Sequence, residues 1–492
     1  MKVGEAAGLM GADASSIGAE IFDKQITDYS IDSRSVGAGE LFFALSQKDY
    51  VRAGFNGEFA DGHKFIAGAL ERGAVAAVAR ADRVKDDLEL QAMKDRLVLV
   101  DDAIAALQLL AHKVYVAWGG RVVAITGSAG KTTAKELTAH VLKSTGKRVL
   151  KSERNYNNGL GLPLSVLRMV SGGQSPSDFD LAVLEMGMSS PTHEIRRLVE
   201  ITPPDVGVEL MVAPVHLEYL GTIENIAAAK AELIEGLKPD GTAILNADDE
   251  LVMKMRDKHA GRILTFGIDN QADVMATEIS TASLGRVAFR LRTPTGEVFA
   301  TLPMSGRHNL SNALAAAAVG TSFDMSAGEI AAALKTVTPP KMRGEVFDFA
   351  AGFTVIDDSY NSNPKSLLNM VRTMAEGGNG RRRLLVIAGE MLELGPDEAA
   401  LHWLAGTDIA KAGINELWGV RGLAQEIVAG AKAEGLSATR FFESSAEAAA
   451  AIVKEAREGD LILVKGSRGV ATDKVITALK ENFPLVGEDT KA

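Results

Sequence analysis

The chain has no cysteine. Disulfides, thiolate metal sites and a thiol nucleophile are therefore excluded. A reducing compartment suits such a chain, so the expected location is cytoplasmic. Aromatic residues make up only 5%, with three tryptophans, and the net charge is -11 with no basic tract. That balance excludes a nucleic-acid role, which needs a positive footprint and stacking rings. No run approaches the ~18 apolar residues of a membrane helix, so no membrane span is expected. Met1 to Met10 carries Glu5 and no long apolar stretch, unlike a secretion signal. What is present is an ordinary globular balance, 46% apolar and 24% charged. The length of 492 residues suits roughly three domains of about 150 residues each.

The most informative stretch is Ile125-Thr126-Gly127-Ser128-Ala129-Gly130-Lys131-Thr132-Thr133. Val122 to Ile125 before it reads as a buried strand. Ala134, Leu137, Val141 and Leu142 after it form one helical stripe. A strand, a glycine turn, a lysine and paired threonines at a helix start make a phosphate-binding loop. Gly127 and Gly130 let backbone N–H groups turn inward, Lys131 adds a positive charge, and a threonine hydroxyl suits Mg²⁺. The general pattern asks for a further glycine where this chain has Ile125.

Residues 1–111 form the first expected unit, a small α/β domain with strands in Gly39–Leu45, Ala74–Ala79 and Leu97–Val100. Ser33, Arg34 and His63 stand at loop positions, suited either to a small polar ligand or to plain turn chemistry. Residues 112–337 form the second unit. Asn155-Tyr156-Asn157-Asn158-Gly159-Leu160-Gly161 is a loop rich in amide donors, suited to a polar or anionic ligand. Leu181–Leu184 reads as a strand with Glu185 at its carboxyl end, the end that faces the ligand crevice in open α/β sheets. Ser190 and Pro191 suit a helix start. A strand over Val206–Leu210 leads to Pro214-Val215-His216-Leu217-Glu218 and a helix over Thr222–Leu237. Lys230 lies on that helix's apolar stripe with Ile223, Ile226, Leu233, Ile234 and Leu237. Such a lysine must snorkel, find an anion or change its charge. Gly306-Arg307-His308-Asn309-Leu310-Ser311-Asn312 opens an alanine-rich helix, where the asparagines can cap or can contact adenine. Pro339-Pro340 marks a linker. Residues 338–492 alternate strands and helices, implying a parallel, doubly wound sheet. Its polar features fall at strand ends: Asp357 to Pro364, Gly389-Glu390-Met391 and Lys465-Gly466-Ser467-Arg468-Gly469.

Over almost its whole length the chain resembles the ATP-dependent Mur ligases of peptidoglycan synthesis. Thr126 to Thr133 looks like that family's phosphate loop, including its departure from the general pattern. Glu185 and His216 match its Mg²⁺ positions, Lys230 its carbamylated lysine, and Gly306-Arg307-His308-Asn309 with Asn312 its adenine-side helix start. Arg343 matches the arginine just inside the last domain. Asp357-Asp358-Ser359-Tyr360-Asn361-Ser362-Asn363-Pro364 and the front-domain motifs Asp32-Ser33-Arg34 and Asp61-Gly62-His63 are similar to members that add D-alanyl-D-alanine to UDP-N-acetylmuramoyl-tripeptide. The sequence departs from the family at Glu185-Met186-Gly187-Met188-Ser189, which replaces a commoner leucine- and alanine-containing version.

The resemblance implies a small α/β N-terminal domain, a central ATPase-type, mostly parallel sheet and a C-terminal Rossmann-like sheet. It implies ATP held by Gly127 to Thr133, Asn309, Asn312, Arg343 and Asp357 or Asp358. Two Mg²⁺ ions would be held by Thr132, Glu185, His216 and a CO₂-derived carbamate on Lys230. Lys131, Lys230, His216 and Arg343 carry the implied catalysis. Ser33, Arg34, His63, Asn157, Asn158, Asn361 and Asn363 are the implied substrate contacts. Domain closure is expected about linkers near Ala111 and Pro339, in a monomer serving cell-wall growth and division. The rival readings are a sister ligase adding the third amino acid, a folylpolyglutamate-type ligase, a P-loop GTPase and a non-catalytic scaffold. The GTPase would need an Asn-Lys-x-Asp motif, which is absent.

Overall fold

The computed structural model describes residues 1–13, 17–153, 155–188, 193–214, 220–378 and 383–487. Among them lie three sheets. The first has four parallel strands in sequential order: β1 (Tyr29–Ser30), β2 (Leu41–Phe43), β3 (Ala76–Arg80) and β4 (Leu97–Val100). β2 and β3 are buried along their whole length, as parallel strands covered on both faces must be.

Helix α1 (Ala103–Trp118) follows. Asp102 caps it through the N–H groups of Ile104 and Ala105, and Gly119 ends it at φ 67. Only a residue without Cβ takes that left-handed turn at no cost. Ala111 is therefore mid-helix and fully buried, and the expected linker there does not exist. The periodic stripe through Leu107, Leu110, Val114 and Tyr115 carries the helix past it. α1 is buried in a core that also holds Leu41 and Phe43 of the first sheet and Val122, Ala124 and Leu162 of the second unit. The first two units thus share one continuous apolar interior.

The central sheet has nine strands. They are β5 (Arg121–Thr126), β6 (Val149–Lys151), β7 (Leu181–Glu185), β8 (Val206–Glu209), β9 (Thr242–Asn246), β10 (Arg262–Gly267), β11 (Val274–Ser283), β12 (Arg286–Thr293) and β13 (Gly296–Leu302), in the order β13-β12-β11-β10-β9-β8-β5-β7-β6. β11, β12 and β13 run as an antiparallel meander on a parallel sheet. β5 lies between β7 and β8. The chain leaves it toward both sides, which opens a crevice at its carboxyl end. Helices α2 (Lys131–Lys143), α3 (Ile223–Glu235) and α4 (Arg307–Ser322) flank this crevice. Thr222 caps α3, and α4 begins at Arg307, a turn and a half before the alanine run.

The last sheet is β14 (Glu345–Asp348), β15 (Thr354–Asp358), β16 (Arg383–Gly389), β17 (Glu416–Val420), β18 (Thr439–Phe442) and β19 (Asp460–Lys465), in the order β14-β15-β19-β16-β17-β18. Five strands are parallel, and β14 adds an antiparallel edge. Helix α5 (Pro364–Gly377) starts with Asn363 as cap and Pro364 in its first turn.

Candidate active site

The phosphate loop joins β5 to α2. Gly130 sits at φ 85, and a Cβ there would lie 2.4 Å from the Asn312 side-chain oxygen. The glycine is therefore required twice, for its turn and for the approach of α4. That contact brings Asn312, and the start of α4 with it, against the loop. The Lys131 ammonium donates to the Gly127 carbonyl at 2.9 Å. Burial pushes its pKa down, the carboxylates of Glu185 and Glu209 oppose this, and the charge of Arg343 adds to it. An arginine from the last unit thus acts on the loop lysine. The Arg343 guanidinium itself stacks 4.0 Å from the Tyr360 ring.

Glu185 ends β7, in register with Ile125. Its carboxylate accepts from the Thr132 hydroxyl at 2.9 Å and from the Asn157 amide at 2.8 Å. The Asn157 carbonyl in turn accepts the Gly187 N–H at 2.7 Å. Asn157 therefore belongs to the crevice. Asn158 does not show the same role: its side-chain oxygen accepts the N–H groups of Leu160 and Gly161, capping the next helix.

Lys230 is 2% exposed on α3. Burial pushes its amine down to about 7, with Glu209 opposing the shift. Long snorkelling to solvent is excluded by that burial. Glu209 ends β8, in register with Thr126. It is fully buried, and burial pushes its carboxyl up to about 8 against the pull of Lys230 and Lys131. Neither of its oxygens has a hydrogen-bond partner among the described residues. Glu209 is not among the residues that the sequence motifs single out. The signal was there: one acid interrupting the apolar run Val206–Leu210 beside the loop strand.

At the start of α4, the Asn309 amide donates to the Ser305 carbonyl at 2.8 Å. Gly344, next to Arg343, packs against that same amide. The His308 ring is pushed down to about 4 by burial, with Asp358 and Lys465 nearby. Asp358 pairs with Lys465 at 2.5 Å, and Lys465 also donates to the Asn361 carbonyl at 2.8 Å. The Asp357 carboxylate accepts the Ser359 N–H and hydroxyl. Burial outweighs these bonds and raises its pKa. The Asn361 side chain accepts the N–H of Ser362, and Asn363 accepts that of Ser366. The Lys465 to Gly469 turn is thus tied to its neighbours.

The front-domain residues are spread out. Arg34 pairs with Asp32 and is largely exposed, and Ser33 is partly buried beside it. The buried His63 has both ring nitrogens engaged, by Asp61 at 2.7 Å and by the Arg80 N–H at 3.0 Å. His216, Ser190 and Pro191 lie outside the described residues.

Among the described residues no three His, Asp or Glu side chains form a metal cluster. The crevice offers a mixed set: the Thr132 hydroxyl, the Glu185 carboxylate and the two unpartnered oxygens of Glu209. Oxygen donors of this kind fit a hard cation such as Mg²⁺. A cleft lined by Thr132, Lys135, Glu136, Thr338, Pro340 and Lys341 opens beside them, where the chain enters the last unit. Among the described residues no helix is long and apolar enough to cross a membrane.

Comparison with known proteins agrees in all three units. Residues 25–115 match the family description "Mur ligase family, catalytic domain", 125–320 "Mur ligase middle domain" and 342–468 "Mur ligase, glutamate ligase domain". The UDP-N-acetylmuramoyl-tripeptide–D-alanyl-D-alanine ligase of Bacillus subtilis is 33% identical over 92% of each chain. A crystal structure of MurF from Acinetobacter baumannii is 27% identical, covers 98% of both chains and superposes with a TM-score of 0.82. The MurF ligase of Thermotoga maritima, in complex with ADP, is 25% identical with a TM-score of 0.77, covering 93% of this chain and 98% of its own.

Proposed function

The chain belongs to the Mur ligase family, and on that premise we propose that it joins D-alanyl-D-alanine to UDP-N-acetylmuramoyl-tripeptide in peptidoglycan synthesis. It is an ATP-dependent ligase that forms a peptide bond. The observation that carries the reading is the convergence of Lys131, Thr132, Glu185 and the charge of Arg343 at the carboxyl end of β5.

The chemistry follows from the problem. A carboxylate is a poor acyl donor because its leaving group would be an oxide. Attack of a carboxylate oxygen on the γ-phosphorus of ATP forms a C–O–P bond, breaks the bond to ADP and yields an acyl phosphate. The amine of D-alanyl-D-alanine then adds to that carbonyl, and phosphate leaves from the tetrahedral intermediate. The first step gathers several negative oxygens, so it needs cations and donors more than a nucleophilic side chain. Lys131 and Arg343 supply positive charge from two sides, and the Gly127–Gly130 backbone with the start of α2 supplies N–H groups. Mg²⁺, held by Thr132, Glu185, Lys230 and His216, would draw charge off the phosphate oxygens.

Lys230 takes part as a carbamate in this reading. A neutral amine adds CO₂, forming an N–C bond and releasing a proton, and gains two oxygens and a negative charge. An amine pushed down to about 7 is neutral often enough to react. Lys230→Ala should lose ligation, and small carboxylic acids should restore part of it. Loss without rescue counts against the carbamate.

The first unit, 1–111, would hold the uridine end, with Ser33, Arg34 and His63 beside it. Residues 112–337 would hold ATP, with Asn309 and Asn312 at adenine. Residues 338–492 would place Asp357 or Asp358 toward the ribose and the Asn361–Asn363 loop toward the dipeptide. Asn157 and Asn158 would border the peptide. The enzyme would act in the cytoplasm as a monomer, closing about Pro339 to keep water from the acyl phosphate. Mass analysis of the product tests the assignment. A muramoyl pentapeptide from D-alanyl-D-alanine supports it; incorporation of a diamino acid instead assigns the chain to a sister ligase.

A further inference from the structure

We infer that Glu209 is an additional carboxylate ligand for the divalent-cation site of this crevice, reaching it from the strand on the other side of the phosphate loop from Glu185. The inference rests on the reading of the crevice as an ATP and cation site.

Strand alternation sets the direction. Val206, Val208 and Leu210 pack with Val123 and Ile125 on one face. Gly207 and Glu209 therefore turn to the other. A Cβ on Gly207 would lie 3.0 Å from Leu237 and 3.4 Å from Leu233, so this is the face that α3 covers. Glu209 is two residues further along the strand, and Lys230 is one turn back along α3 from Leu233. The charges of Lys230 and Lys131 both act on Glu209. The acid thus lies within electrostatic reach of both the loop lysine and the α3 lysine, at the end of its strand.

Its oxygens are unused. Glu209 is fully buried with no partner for either oxygen among the described residues, and the Thr126 hydroxyl beside it is unpartnered as well. An ionised carboxylate without a partner costs several kcal/mol to bury. Protonation does not resolve this, because the new O–H would also need an acceptor. Asp249, the other acid acting on Glu209, is engaged by the N–H groups of Val212, Leu251 and Val252. Elsewhere the fold pairs its buried charges: Asp49 with Arg80 at 2.8 Å and Asp460 with Arg383 at 2.6 Å. Three orphan oxygens on adjacent, in-register residues beside the loop suit a hard cation. If Lys230 carries a carbamate, Glu209 faces a second anion, and a cation between them satisfies both.

The test is Mn²⁺ binding, read by electron paramagnetic resonance of the free ion, with ADP present. The parent, Glu209→Gln and Glu209→Met are compared. Glu209→Met places an apolar side chain in the buried position, so one variant remains usable if the other does not fold. The expected result is at least tenfold weaker binding, or loss, of one Mn²⁺ equivalent in each folded variant, with the metal-free unfolding midpoint held or raised. A Mn²⁺ isotherm equal to the parent's in a folded variant overturns the inference. No muramoyl peptide or dipeptide is used, so failure of the substrate assignment leaves this test intact. A parent that binds no Mn²⁺ with ADP would overturn the cation reading of the crevice itself.

Discussion

At the amino ends of β16 and β19, Arg383 donates to both oxygens of Asp460, to Glu416 at 3.1 Å and to the Glu455 carbonyl at 2.9 Å. At the amino end of β8, Asp205 binds Lys238 at 3.0 Å and the Val122 N–H at 2.8 Å. At the carboxyl ends of β5 and β8 the pattern reverses. Lys131 has one backbone carbonyl, and Glu209 and the Thr126 hydroxyl have no hydrogen-bond partner among the described residues. Both regions bury charge. The first satisfies it within the chain and gains fixed geometry; the second leaves valences open for something that arrives. Saturation of a buried charge, more than its presence, separates scaffold from site.

Breaking the saturated end should cost the most. Arg383→Met removes the bidentate cation of Asp460, leaving it only the more distant Arg457, and takes the cation from Glu416, so the loss of unfolding free energy should be ~3–5 kcal/mol. Denaturant titration measures it, and kcat/KM of the folded fraction should stay near the parent's. A loss of activity with stability intact would reverse the roles of the two ends. Lys131→Ala should do the opposite. In the proposed reaction it removes a charge that acts on the γ-phosphate, so ligation should fall by about 10²–10³-fold, while the unfolding midpoint moves little. Glu209→Met sharpens the contrast further. Without metal it deletes an unpartnered buried acid and should leave stability unchanged or higher by about 1 kcal/mol; a large destabilisation would mean the carboxylate is already satisfied.

The smallest effect concerns His308, a half-buried residue whose ring Nδ1 is itself buried. Its folded value is pushed down to about 4 from the usual 6.5. Between those values the unfolded chain binds a proton that the folded chain does not. This group's contribution therefore falls as pH drops from 6.5 to 4. His308→Gln should flatten that part of the profile. A parent-minus-variant difference that stays constant across the window would contradict it.

Local pattern carried much of this structure. The loop between β5 and α2, Glu185 at a strand end and the buried stripe position of Lys230 follow from periodicity and turn chemistry. The five parallel strands of the last sheet follow from apolar runs between helical patterns. Other features needed the third dimension. Ala111 became mid-helix because the apolar stripe of α1 continues to Tyr115 and is gripped by two units at once. The meander is weakly marked in sequence although β12 alternates buried Val287, Phe289 and Leu291 with half-buried or exposed neighbours. β14 is a short, half-buried edge without a strong pattern. Asparagines look alike in sequence, yet Asn157 holds Glu185 while Asn158 and Asn363 cap helices. Asp358 and Lys465 are 107 residues apart, a separation across which no local rule pairs charges. Glu209 gains meaning only when its neighbours show that neither oxygen has a hydrogen-bond partner among the described residues.

In the proposed reaction the crevice aims a phosphate at a carboxylate. The direct measurement uses UDP-N-acetylmuramoyl-tripeptide labelled with ¹⁸O in its terminal carboxylate, with ATP and D-alanyl-D-alanine. An acyl phosphate route carries one labelled oxygen into the released inorganic phosphate, and phosphate with one ¹⁸O is the predicted product. Unlabelled phosphate formed together with the ligated pentapeptide would exclude the acyl phosphate route.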